Sequence, residues 1–130
     1  CHSTDLFLTP PTSGGNNGLE DGENSLDEGV YEITGDPSQL GSFRVSSLRN
    51  IAVTGPYMHD GRLRTLADVV DHYSSQIAPH PNLGESLRDV DGDPIRFSFT
   101  ADERDALVSF LETLTDESFL NDPRFSDPFR

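Results

Sequence analysis

Residues 41–73, GSFRVSSLRNIAVTGPYMHDGRLRTLADVVDHY, restrict this chain more than any other stretch. Leu48, Ile51 and Ala52 fall at helical spacing and predict a turn or two of helix, flanked by Arg44 and Arg49. Gly55-Pro56 and Asp60-Gly61 are turn signals, so residues 53–61 read as an ordered loop. A helix starts at Thr65, a plausible N-cap, with Asp68 three residues on in a variant of the capping box. Leu66, Val69, Val70 and Tyr73 then recur at i, i+3, i+4 and i+7, which makes one apolar stripe and turns Tyr73 inward. A buried phenol needs a polar partner. Met58, His59 and Tyr73 are thus close in sequence, and each can either ligate a metal or serve the core.

Composition narrows the class. Lys and Arg number 9 against 23 Asp and Glu, a net charge of −14. Such a chain has nothing with which to neutralise nucleic-acid phosphates or anionic lipid. A basic electron-transfer partner remains compatible with it. Hydrophobic residues are 33%, and 11 Gly and 9 Pro mean that much of the chain is loop. So little apolar surface offsets chain entropy poorly, and a large buried cofactor would fill the core that side chains leave open. No run of about 18 apolar residues is present, so no membrane span is expected.

The chain opens on Cys1-His2, without Met, as if partway through a motif. A Cys-x-x-Cys-His box attaches c-type haem through two thioethers and binds iron through its His. Here only the last two letters are present, and the reading is of one domain, 1–130, truncated at that box. As the single cysteine, Cys1 excludes an internal disulfide. Of the two arginines near residue 48, Arg49 is the better candidate for a bidentate contact to a carboxylate such as a haem propionate; ion pairs with surface carboxylates are the plainer role.

Residues 12–36 are rich in Gly, Asn, Asp and Glu and predict a long surface loop within a loop-rich stretch, 11–40. His80, between two prolines, is expected to be exposed. Asp89 to Asp93 resembles part of a calcium loop but lacks the downstream Glu, so an acidic turn is expected. Thr100 and Glu103 form a capping box for a helix over 100–114, whose buried stripe would be Leu107, Phe110, Leu111 and Leu114. A Pro- and Phe-rich tail, 115–130, should lie over the surface or reach a neighbour.

Several stretches together, FRVSSLRNIAVTGPYMHDGR, TLADVVDHY, FLETLTD and FLNDPRFSDPF, resemble the C-terminal half of the bacterial dihaem cytochrome c peroxidases, and more closely their MauG-related branch. The likeness is weakest over 11–29 and 78–98. It implies a mainly α, cytochrome c-like haem domain with long irregular loops. It also implies covalent haem c, with Cys1 as one thioether and His2 as proximal iron ligand. The peroxidases carry Met as the second ligand and the MauG branch carries Tyr; counting along this chain puts Tyr73 there, with Met58 as the alternative. The resemblance further gives Thr54 and Pro56 as backbone-carbonyl ligands of a calcium ion between two haem domains, and His59 a supporting, hydrogen-bonding role. Ser46 departs from the family, which often has Pro at that place.

As a whole protein, the resemblance implies a peroxidase-type oxidoreductase of the periplasm. Electrons would pass from a small redox donor, such as a cytochrome or cupredoxin, to a peroxide-reducing haem in an N-terminal domain, and a homodimer would be possible. This chain alone would be inactive. A MauG-like enzyme that oxidises a protein side chain through high-valent iron is the second reading. A haem-free, calcium-stabilised binding module is the third.

Overall fold

A computed structural model describes residues 14–21 and 27–126; Cys1, His2 and Phe129 lie outside them. Short helices joined by long ordered loops make up the domain. In chain order these are strand β1 (Gly14–Gly15), helix α1 (Tyr31–Thr34), strand β2 (Phe43–Arg44), helix α2 (Leu66–Asp71), helix α3 (Ala101–Glu112) and helix α4 (Glu117–Leu120). The two strands pair antiparallel, Gly14 opposite Arg44 and Gly15 opposite Phe43. Among the described residues, no helix is long and apolar enough to cross a membrane.

Local chemistry starts both main helices as the sequence predicts. The Thr65 hydroxyl accepts from the Asp68 N–H at 3.1 Å, and the Asp68 carboxylate accepts from the Thr65 N–H at 2.9 Å. Thr100 and Glu103 repeat this exchange at the head of α3. Two otherwise orphaned backbone donors are satisfied each time. Thr65→Ala removes the cap of α2, and a urea titration of the protein should show a loss of about 1 kcal/mol.

α2 does not simply end. It widens into a π-helical turn over His72–Gln76, and Tyr73 lies in that turn. Such wide turns are frequent at functional sites. α2 and α3 pack together, and Arg104 of α3 forks onto the Asp71 carboxylate with bonds of 2.6 and 2.9 Å. Both partners are over a third exposed, so this pair orients the helices more than it stabilises them.

The core is small. Ile51, Tyr57, Leu66 and Val69 form a buried cluster, with Leu48, Ala52, Met58, Leu63, Tyr73, Val108 and Leu111 partly buried around it. The Tyr57 hydroxyl donates to the Ile51 carbonyl at 2.8 Å, closing the loop on itself. Asn50 sits in the left-handed region at φ 60°. Its N–H donates to the Leu114 carbonyl (3.0 Å), and its side-chain oxygen accepts from the Asp116 N–H (2.6 Å). That one residue ties residues 48–54 to the connection after α3.

Three expectations need correction. The surface loop expected over 12–36 is not wholly on the surface: Asn16 and Asn17 are buried. The Asn16 carbonyl accepts from the Gly84 N–H and the Gly18 carbonyl from the Ala78 N–H, which draws residues 16–18 under the chain. Gly18 permits this. It has φ +65°, and a Cβ there would stand 2.5 Å from Ile77 Cγ2. His80 is buried as well. Its Nδ1 accepts from the Asn82 N–H at 2.9 Å, and burial, ahead of the Arg88 charge, lowers its pKa. The third concerns α3, which contains no buried residue. Leu107 and Leu111 are half-buried and Phe110 is 55% exposed. In the tail, Phe119 and Phe125 pair at 4.7 Å on the surface, as a surface-lying tail requires.

Candidate haem site

Val108 and Leu111 of α3 pack against the core cluster, and the α3 stripe also faces a cavity. Leu107, Phe110 and Leu111 of α3 line it together with Val69 and Val70 of α2 and Tyr73 of the turn that follows. Met58 and His59 come from the loop after the Gly55-Pro56 bend, and Gly15, Asn17, Phe43 and Arg44 from the strand pair. The cavity encloses about 510 Å³, within the range of cofactor and ligand sites.

Its polar groups are few and placed. The Tyr73 phenol is hydrogen-bonded by the Asn17 carboxamide; burial raises its pKa, and that hydrogen bond works the other way. Asn17 Nδ2 also donates to Met58 Sδ at 3.0 Å. Next to Tyr73, His72 is 3% exposed and its Nε2 lies 3.0 Å from the Asn17 carbonyl. A carbonyl only accepts, so Nε2 carries the hydrogen. Burial lowers the His72 pKa, and the hydrogen bond to the Asn17 carbonyl works the other way. The two neighbouring rings meet edge-on, 5.0 Å apart.

Tyr73, Met58, His59, Thr54 and Pro56, all singled out from the sequence, line this one cavity. Arg49 does not: it is exposed, and its charge helps hold the Asp116 carboxyl low, after the Ser118 and Phe119 hydrogen bonds. Arg44 is the arginine on the cavity. His59 stacks flat on Phe43, centroids 3.8 Å apart and planes 6° from parallel. Glu20, His59 and Asp60 converge closely enough to hold a cation, but Arg62 already pairs with both carboxylates. Cys1 and His2 lie outside the described residues. Asn17 had no signal in the sequence, since its partners are far along the chain.

Arrangement and fold define a mainly α, cytochrome c-like domain around an apolar slot. Comparisons with known proteins agree. No family model matches the chain. Cytochrome-c peroxidase IdrP1 of Denitromonas iodatirespirans is 34% identical over 106 residues, 80% of this chain and 26% of that protein. Methylamine utilization protein MauG of Paracoccus denitrificans is 39% identical over 114 residues, 75% of this chain and 30% of that protein. A crystal structure of a MauG-like protein associated with microbial copper homeostasis superposes with a TM-score of 0.71 at 43% identity. It matches 91% of this chain and 37% of its own. The chain belongs to the dihaem cytochrome c peroxidase/MauG family. It spans between a quarter and a third of the length of these two curated relatives.

Membership implies covalent haem c, and the residues present fit that group. Apolar walls suit a porphyrin face, an arginine at the margin suits a propionate, and a phenol and a thioether suit iron.

Proposed function

We propose that this chain is the haem c electron-transfer domain of a dihaem cytochrome c peroxidase-like oxidoreductase. The observation that carries the reading is the apolar face that α3 turns to the cavity, with Leu107, Phe110 and Leu111 lining it together with Tyr73. Cys1 and His2 would attach the haem and bind its iron, Tyr73 would be the second ligand with Met58 as the alternative, and Arg44, in place of Arg49, would meet a propionate. Bound there, haem supplies a one-electron store. Leu107, Phe110 and Leu111 keep water from it, and Asn17 orients the Tyr73 oxygen. His59 supports the loop through its stack on Phe43.

Thr54 and Pro56 would offer backbone carbonyls to a calcium ion at the seam with an N-terminal haem domain. Both residues are exposed, and no backbone hydrogen bond among the described residues ends on either carbonyl. The whole protein would be periplasmic, would take electrons from a small cytochrome or cupredoxin, and could pair as a homodimer. At −14 the chain favours a basic donor.

A second reading, oxidation of a protein side chain as in a MauG-like enzyme, is favoured by Tyr73 on the cavity wall. A phenolate is a hard anion and suits iron that holds oxidising equivalents. Stopped-flow mixing of the full-length reduced protein with hydrogen peroxide and a reduced donor separates the two. Peroxidase chemistry consumes two donor electrons and two protons per peroxide, yielding two waters. Peroxide consumed with no donor oxidation contradicts it and supports the second reading.

A further inference from the structure

Two candidate iron donors of different chemistry face the same cavity, and one residue touches both. Asn17 is 8% exposed, with its Nδ2 3.0 Å from Met58 Sδ and its carboxamide hydrogen-bonded to the Tyr73 phenol. The backbone that carries it is pinned on every side. His72 Nε2 donates to the Asn17 carbonyl at 3.0 Å, and Asn16 Oδ1 accepts from the Gly18 N–H at 2.8 Å. The Asn16 and Gly18 carbonyls accept from Gly84 and Ala78 at 2.9 and 2.7 Å. The carboxamide is therefore aimed, not free to swing.

We infer that Asn17 is the positioning residue that selects the iron ligand here, holding the Met58 thioether out of use while it presents the Tyr73 oxygen. An N–H directed at sulfur engages a lone pair that a metal would otherwise take. An N–H directed at a phenol oxygen fixes where its remaining lone pair points. A primary amide has two N–H donors on one nitrogen and can do both. Met58 is committed by its backbone too, since its φ of 73° fixes the turn that delivers its sulfur to Asn17. Leu at position 17 would keep the bulk and lose both donors. Asp would keep the shape but offer only acceptors.

This inference rests on the haem reading above, so wild type and Tyr73→Phe are compared first, as full-length holoproteins, by ferric EPR and visible absorption. No difference between them means that Tyr73 is not a ligand. That result overturns the haem-ligand reading, and the selection by Asn17 with it. Where they differ, Asn17→Leu should convert the single low-spin species into a mixture. The new component should show thioether ligation, with its sulfur-to-iron charge-transfer band and a higher reduction potential. Adding Met58→Leu should remove that component. If Asn17→Leu does not fold, Asn17→Asp is read in its place with the same expectation. Spectra and potential unchanged from wild type in the folded variant would overturn the selection while leaving Tyr73 ligation standing.

Discussion

Tyr73→Phe in the full-length holoprotein should abolish a low-spin His/Tyr ferric signal and raise the reduction potential of the haem bound here. Tyr73 lines the cavity from the π-helical turn after α2, and its oxygen is held by Asn17. Phe keeps the ring and its contact with His72, so packing is preserved while the donor atom is lost. A phenolate stabilises ferric iron, and its removal should shift the potential upward on the order of 100 mV, a fraction of the roughly 0.8 V that axial ligands span. Potentiometric titration with EPR checks both effects. Met58 lines the same cavity, and its recruitment in the variant would appear as a thioether-ligated species.

Ile77→Ala should be the most damaging change outside the cavity. Ile77 is 0% exposed and packs on Gly18 where residues 16–18 pass beneath it. A buried Ile-to-Ala truncation costs about 2–5 kcal/mol, and this one also loosens the segment that aims Asn17. Gly18→Ala attacks the same contact from the other side. It forces a Cβ to 2.5 Å from Ile77 Cγ2 and 2.8 Å from the Ala78 carbonyl at a φ of +65°. Urea denaturation of each variant should show a large loss of stability. Ile77→Ala near wild-type stability would mean that the 16–18 segment contributes little.

What the sequence made legible was local. Both capping boxes span three residues, and the stripe of α2 is a simple period, so Thr65, Asp68, Thr100, Glu103 and the inward turn of Tyr73 could all be read directly. The contacts that assemble the site are long-range. Asn17 reaches Met58 across 41 positions and His72 across 55, and no periodicity marks an asparagine whose amide will be buried. His80 looked exposed between prolines because its partner, the Asn82 N–H, exists only once the turn forms. The α3 stripe was correctly located, but beside its packing on the core through Val108 and Leu111 it also lines the cavity, and none of it is fully buried. Hydrophobic spacing says which face leaves water and not what covers it. Arg44 and Arg49 are indistinguishable by composition, and only the strand pair puts Arg44 on the cavity.

Haem in this slot is the central claim, and peptide mass spectrometry of the full-length protein tests it most directly. After proteolysis, the peptide that contains Cys1-His2 should carry one covalently attached haem. The same peptide recovered without haem, from protein matured where c-type cytochromes are assembled, would contradict the assignment of this domain.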